Sequence, residues 1–379
     1  MSTRLVLLHD GSNMITMNGF SREELSIKKA MAAACERVVN SNYFVLGSEV
    51  KDFEDQWASI CGTQHAIGMG NGLDAIEIAL RVAGVGPGDE VITTPMTAFA
   101  TFLGIVRAGA KPVLADIDPS TALLSIESVA RQVTPQTKAV LLVHLYGQLR
   151  DMQAWVKFCD ENDLLLFEDC AQAHLAECDG KVAGSFGIAG AYSFYPTKNL
   201  GAVGDAGALV TSDPEIAERA RRLRNYGQSN RYEHVDLGMN SRLDEIQAAL
   251  LNVRLAWLEE FTARRREISQ SYFDGIRNPF VRLLAEPKDP RSHSYHLFVV
   301  NCDEREKLSS FLSHRGIETL IHYPIPIHKQ TAAAPLRLDI PDLRNADSHA
   351  DTCLSIPCHP GMTDREVETV ISAVNEFVF

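Results

Sequence analysis

The chain reads as an α/β protein: a mainly parallel, doubly wound sheet followed by a smaller α+β C-terminal domain. Two observations predict this. Short apolar runs alternate with segments of helical period through the first two thirds of the sequence, the pattern of repeated helix–strand units with parallel strands. One of those runs, Leu164 to Phe167, is apolar without alternation and is ended by Glu168 and Asp169. A strand buried on both faces reads this way, and it delivers a carboxylate to the sheet edge where open α/β sheets place their ligands.

Taken in order, residues 1–19 form a leader with no clear pattern. Ser21 to Val39 is expected to be a helix, capped by Ser21 with Glu24 three residues on. Helices at 48–60 and 73–84 precede a strand at 90–93. A helix near 98–108 leads to a strand from Pro112 to Ala115, and a polar stretch leads to another from Lys138 to His144. The helix at 150–162 carries Met152, Trp155 and Cys159 on one face, and the strand at 164–167 follows. A long helix from Leu243 to Phe261 places Leu243, Ile246, Leu250, Val253 and Trp257 at helical spacing, a core-packing stripe. It closes a large domain, 20–261, and residues 262–379 form the smaller one. The 379 residues suffice to bury sizeable cores.

Composition bounds the function. A net charge of −13 argues against non-specific binding to nucleic acid or anionic membrane. Among eight cysteines there is no C-x-x-C pair and no Cys/His spacing that matches a zinc site, so no metal is expected. Scattered single thiols suit a reduced, cytoplasmic protein. The apolar stretch Arg4 to Leu8 is too short for a signal peptide, and no run reaches transmembrane length.

Three stretches carry chemistry. Gly190 to Thr211 holds one lysine, Lys198, between SerPheTyrProThr and AsnLeuGly. Held against a packed wall, its ammonium would be disfavoured and its amine freed as a nucleophile; a lysine on an ordinary turn has the same spacing. Asp169 opens the polar cluster that runs through Cys170, Ala171, Gln172, Ala173 and His174. A buried carboxylate needs a cationic partner or donors, and a protonated pyridine nitrogen is such a partner. A lysine with an aspartate of that kind is the protein's contribution to pyridoxal phosphate chemistry. The third stretch, from Gly68, is a glycine-rich turn that opens a helix with Leu73, Ile76, Leu80 and Ala83 on one face. Free amides at such a start bind phosphate, although a capped helix after a Gly-Asn-Gly turn is an equally ordinary reading.

SerPheTyrProThrLysAsnLeuGlyAla, GluAspCysAlaGlnAlaHis and GlyAsnGlyLeuAspAla together resemble the DegT/DnrJ/EryC1/StrS family of sugar aminotransferases, fold type I pyridoxal-phosphate enzymes. The resemblance runs from about Phe20 to the C-terminus. It implies pyridoxal 5′-phosphate as cofactor, with Lys198 as the Schiff-base lysine and Asp169 on the ring nitrogen. It puts Gln172 beside the ring, and Ser193 with Gly72, Leu73 and Asp74 at the phosphate. It also implies a homodimer with shared sites, in which Asn240 reaches the neighbour's cofactor phosphate; a helix cap is the alternative for Asn240.

One departure stands out. Relatives often carry an aromatic directly after the threonine of a Pro-x-Thr motif, stacked on the pyridine ring, whereas here Ala98 occupies that place and Phe99 follows. Phe99, Phe102 or no residue then stacks. In the tail, His322, Tyr323 and His328 lie on a Pro-rich loop. Together with ValHisLeuTyrGlyGln at 143–148, this loop resembles the branch acting on nucleotide-linked 3-keto-6-deoxyhexoses, with L-glutamate as amino donor. Arg224, Arg231 and Arg242 are candidate diphosphate partners, with Arg242 taken into the substrate set. A 4-keto-sugar aminotransferase, a sugar dehydratase and a cofactor-binding regulator without turnover are the alternatives. Dehydratases of this kind carry histidine where Lys198 stands.

Overall fold

The computed structural model describes residues 14–379. Helices α1 (Leu25–Ser41) and α2 (Ser48–Cys61) lead into β1 (His65–Met69), α3 (Gly72–Val82), β2 (Glu90–Thr93), α4 (Phe99–Ala108) and β3 (Lys111–Leu114). Then come α5 (Ile126–Ala130), β4 (Thr137–Val143), α6 (Met152–Glu161) and β5 (Leu165–Asp169). A small hairpin, β6 (Glu177–Cys178) and β7 (Lys181–Val182), precedes β8 (Ala189–Ser193), β9 (Gly207–Thr211) and α7 (Pro214–Leu223). A second hairpin, β10 (Gln228–Asn230) and β11 (Glu233–His234), precedes α8 (Glu245–Leu255) and α9 (Leu258–Gly275). The chain ends with β12 (Arg282–Leu283), β13 (Phe298–Asn301), α10 (Arg305–His314), α11 (Arg344–Thr352), β14 (Cys353–Ile356) and α12 (Asp364–Glu376).

Seven strands form the central sheet in the order β1-β9-β8-β5-β4-β2-β3. The pairs among β3, β2, β4, β5 and β8 are parallel, while β9 runs antiparallel to both of its neighbours. The apolar runs are continuous because both faces are covered. Val140, Leu166, Tyr192 and Val210 point into one core with Phe53 and Trp57 of α2, Trp155 of α6 and Leu251 of α8. Their chain neighbours Leu141, Phe167, Ala191 and Leu209 point into the other, with Ile76 and Leu80 of α3, Ile105 of α4 and Ile216 of α7. That is the two-residue period of a strand read on both sides.

Several expectations need correction. Glu168 and Asp169 do not end β5 but belong to it, paired with Gly190 and Ala191 of β8. Gly68 and Met69 are strand, not turn, since β1 pairs along its whole length with β9. Helix α1 begins at Leu25, and its N-cap Glu24 makes no side-chain cap. The Ser21–Glu24 capping box does not form; Phe20–Arg22 is a separate turn, drawn onto α12 by an Arg22–Glu366 ion pair of 2.6 Å. On α3, Asp74 to Leu80 are all buried between the sheet, α4 and α7, while Leu73 and Ala83 are only half-buried.

The long helix is two helices. α8 stops at Leu255, and Trp257 caps α9, which turns to place Ile268 and Tyr272 in a separate core. Ile246 of the expected core stripe is exposed, whereas Glu245 is buried because its carboxylate receives the amides of Gly47 and Glu49 at 2.7 and 2.6 Å.

That separate core packs against an antiparallel sheet, β12-β13-β14, with Phe298, Val300, Leu354 and Ile356 facing Val370 and Val374 of α12. α9 spans residues 261 and 262, where the expected boundary lies. Of the expected leader, residues 14–19 are tied in: Ile15 is buried and bridged to Ile317, and the Met17 amide donates to Glu318 at 2.7 Å. The rest of the leader lies outside the described residues. No helix among the described residues is long and apolar enough to cross a membrane.

Candidate active site

Asp169 stands at the carboxyl end of β5 and is 6% exposed. Its Oδ2 accepts from Thr101 Oγ1 of α4 at 2.7 Å, and its Oδ1 from the Ala171 amide at 3.1 Å. Thr101 is itself bonded to Thr97 at 2.7 Å, so the carboxylate is held in one orientation from the start of α4. Glu168, its chain neighbour, points to the other face. Burial would push the Glu168 carboxyl up. His144 Nε2 at 2.8 Å and the amides of Gly187 and Gly184, both at 2.9 Å, outweigh that and hold it below its usual range. Cys170 Sγ also lies near His144 and Glu168, but that carboxylate already receives the Phe186 amide as well, at 2.8 Å.

Lys198 sits on the segment leaving β8. Its amide donates to Tyr195 O at 2.8 Å, and its buried neighbour Asn199 donates to Ser294 O at 2.9 Å. Burial lowers the Lys198 ammonium to about 8, against the raising effect of the Asp169 charge. The packed surroundings include His174, fully buried among Trp57, Tyr192 and Phe194 at centroid distances of 5.7, 5.3 and 5.5 Å. Burial and then the Lys198 charge lower His174 to about 3 and His322 to about 4. The same two causes lower His296, so the lysine is ringed by neutral imidazoles. Lys198 also lines a cavity of about 480 Å³ with Asn18, Arg254 and Arg265, whose walls include neither Asp169 nor Gln172.

The glycine-rich stretch meets this centre across the sheet. Asn71 caps α3 by accepting from the Asp74 amide at 2.8 Å. This corrects one expectation: the Asp74 amide is already engaged, and its buried carboxylate pairs with Arg107 at 3.2 Å. The amides of Gly72 and Leu73 have no acceptor among the described residues. A Cβ on Gly72 would lie 2.8 Å from Ser193 Cβ, and one on Gly207 would lie 2.7 Å from the Gly72 nitrogen. Glycine at both positions is therefore what lets the helix start, Ser193 and β9 converge.

Gln172 and Tyr323 join them. Gln172 Oε1 accepts from the Tyr146 amide at 2.6 Å, and its Nε2 donates to the Tyr323 hydroxyl at 3.2 Å. His322 Nδ1 is 2.8 Å from Ser355 Oγ. His328 is not brought in: it pairs with Asp347 of α11 at 3.0 Å, because Ile327 anchors this part of the loop on Pro95 O. Arg242 donates to Asn225 at 2.9 Å and lies over the Tyr226 ring, away from the cluster's hydrogen bonds. Arg224 is buried and spent on Glu54 and Gly68 O, so it is unavailable to a diphosphate. Arg231 is exposed on the second hairpin. Asn240 is exposed, with its backbone bridged to Asn225. The helix cap is excluded for it, since Asp244 occupies that position for α8.

Sequence reasoning missed Thr101 and Tyr146. Threonines four apart, Thr97 and Thr101, were the available signal for the first. Tyr146 lies in the ValHisLeuTyrGlyGln segment, but nothing there shows these roles, which come from its backbone amide and from a partner 176 residues away.

A sequence profile of the DegT/DnrJ/EryC1/StrS aminotransferase family matches residues 25–375. The chain belongs to this family. Over 364 residues it is 43% identical to the dTDP-3-amino-3,6-dideoxy-alpha-D-galactopyranose transaminase of Aneurinibacillus thermoaerophilus, covering 96% of this chain and 99% of that one. It is 42% identical to a protein of Geobacillus stearothermophilus named pleiotropic regulatory protein, covering 96% and 98% of the two chains. Among solved structures it resembles S. venezuelae DesV in complex with a ketimine intermediate: TM-score 0.91, 40% identity, 96% of this chain and 98% of that one.

Pyridoxal phosphate, the cofactor that family membership brings with it, fits the residues present. Asp169 offers an oriented carboxylate for a ring nitrogen, Gly72 and Leu73 offer free amides beside Ser193 for a phosphate, and Lys198 offers an amine. The two phenylalanines of α4 are engaged with protein neighbours. Phe99 and Phe102 pack with Leu114, Ile327, Ala333 and Leu343, and Ala98 caps α4.

Proposed function

We propose that the protein is a pyridoxal-phosphate-dependent aminotransferase that moves an amino group from L-glutamate to a nucleotide-linked 3-keto-6-deoxyhexose, a dTDP-sugar in this reading. The observation that carries it is the lysine whose ammonium is lowered to about 8 beside an oriented, buried aspartate. Identity of 43% to a dTDP-sugar 3-transaminase over nearly both full chains supports the substrate class.

The bound cofactor supplies an electron sink for the carbanion at the amine-bearing carbon. Asp169 keeps a proton on the ring nitrogen, and Thr101 and the Ala171 amide keep Asp169 aimed at it. Gly72, Leu73 and Ser193 would hold the phosphate, and Gln172 would stand beside the ring. Lys198 Nζ, as a free amine, would take the proton from the donor's α-carbon and later return one to the sugar carbon. An amine that titrates near 8 serves both as base and as acid at working pH. Tyr323 and His322 face the substrate.

The same reading takes the protein as a cytoplasmic homodimer in which Asn240 acts on the neighbour's site, with Arg242 as a substrate partner and domains at 20–261 and 262–379. Adding L-glutamate to the cofactor-loaded protein should bleach the cofactor's long-wavelength band. A panel of nucleotide-linked 3-keto and 4-keto sugars, with product amines located by NMR, should give amination at C3; amination at C4 alone would move the protein to the other branch. A regulator without turnover is the second reading, favoured by the likeness to the Geobacillus protein. It predicts cofactor binding with no bleaching.

A further inference from the structure

Tyr146 adopts a left-handed backbone, φ 63°, followed by Gly147 at φ 102°. A Cβ on Gly147 would lie 2.6 Å from Gln172 O, so the turn is pressed against the Gln172 segment. In this conformation the Tyr146 amide reaches Gln172 Oε1 at 2.6 Å, while its hydroxyl reaches His322 O at 2.6 Å and His349 Nε2 at 2.9 Å. The polarity of every bond is forced. A backbone amide can only donate, so Gln172 must turn its carbonyl to Tyr146 and its NH₂ to Tyr323. A backbone carbonyl can only accept, so the Tyr146 hydroxyl donates to His322 O and receives Nε2–H from His349. The Tyr323 oxygen is thereby an acceptor toward Gln172 at 3.2 Å, and its own hydrogen has no acceptor among the described residues.

We infer that Tyr323 is a directed hydrogen-bond donor into the active site, its polarity set by the Tyr146 amide through Gln172, and that it selects an oxygen able to accept: one on the nucleotide-linked sugar or the hydroxyl oxygen carried on the cofactor's ring. This rests on the aminotransferase reading for the identity of those two ligands. Burial raises the Tyr323 phenol to about 12, with the Asp169 charge adding to it, so the hydrogen is retained across the working range. Tyr146 is the positioning residue: it fixes the Gln172 amide and tethers the His322–Tyr323 loop to the end of β4.

Two variants of the cofactor-loaded enzyme test this. For Tyr323→Phe, titration calorimetry with a dTDP-linked 3-amino-3,6-dideoxyhexose reads the sugar, and the cofactor's absorbance maximum and affinity read the hydroxyl oxygen on its ring. Sugar affinity about tenfold weaker with an unchanged spectrum assigns the sugar oxygen. A shifted spectrum with unchanged sugar affinity assigns the cofactor oxygen. If neither changes, the donor role is overturned. Gln172→Glu, nearly the same shape, guards against misfolding of the first variant. Its carboxylate would accept from both Tyr146 and Tyr323 and capture the phenolic hydrogen, so at pH 8 it should show the same loss as Tyr323→Phe. Lowering the pH should restore affinity as that carboxyl, placed between the Tyr146 amide and the Tyr323 hydroxyl and three residues on from Asp169, is protonated. Wild-type behaviour of Gln172→Glu at pH 8 would also overturn the inference. L-glutamate bleaching of the wild-type enzyme checks the aminotransferase reading separately.

Discussion

At the scale of single residues, the centre works by opposing two effects on Lys198. Burial pushes its ammonium down and the Asp169 charge pulls it back up, leaving it near 8 rather than 10.5. In the cofactor-free protein, pH-dependent labelling of Lys198 should therefore show half-reaction near pH 8, and a midpoint near 10.5 would contradict the burial. The sign for stability follows. Below about pH 8 both folded and unfolded chains carry the proton, and the folded one bears the cost of a buried charge. Between about 8 and 10.5 only the unfolded chain binds it, so stability rises with pH across that window, by at most about 3 kcal/mol. Lys198→Met should abolish this rise in denaturant titrations and should abolish transamination. Asp169→Asn should leave cofactor bound but slow both half-reactions by several powers of ten in single-turnover absorbance traces. Thr101→Val removes one donor to that carboxylate and should cost about 1 kcal/mol of cofactor binding, measured by spectral titration.

At the scale of elements, the site depends on how closely α3, β8 and β9 approach. Gly207 on β9 admits the Gly72 nitrogen, and Gly72 admits Ser193. Gly207→Ala should force the start of α3 outward. The expected result is a loss of about 1–3 kcal/mol in denaturant unfolding together with weaker cofactor binding. Unchanged cofactor affinity in a folded variant would separate Gly72 and Leu73 from the phosphate site. These approaches explain why the glycines were readable in the sequence while their purpose was not. A glycine announces permissive backbone, but only the folded chain shows what it admits: the Asn71–Gly72 peptide at Gly207, and Ser193 at Gly72.

At the scale of the whole molecule, the hairpin of β10 and β11 projects with Tyr226, Tyr232, Val235 and Leu237 exposed, Leu237 at 90%, and Asn240 lies exposed at its base. Apolar surface of this kind next to a candidate site fits the proposed homodimer. Mixing inactive Lys198→Ala chains with inactive Asn240→Ala chains should restore part of the activity, since one hybrid site receives a wild-type residue from each. A fully active monomer by light scattering at assay concentration would exclude shared sites.

The sequence alone determined the alternation of helices and strands, the parallel sheet, the Lys198, Asp169 and Gln172 motifs and the glycine-rich helix start. All of these are local: period, run length and residue type within a few positions decide them. Only the tertiary structure decided that the helix after Leu243 breaks at Ala256–Trp257, where no proline or glycine marks it, because α9 must turn to feed Ile268 and Tyr272 into a second core. It decided equally that Arg224 is spent on Glu54, that His328 answers to Asp347, and that Tyr146 orients Gln172 and Tyr323. Each of these rests on a partner distant in sequence, and hydrogen-bond polarity exists only once donor and acceptor have been brought within reach.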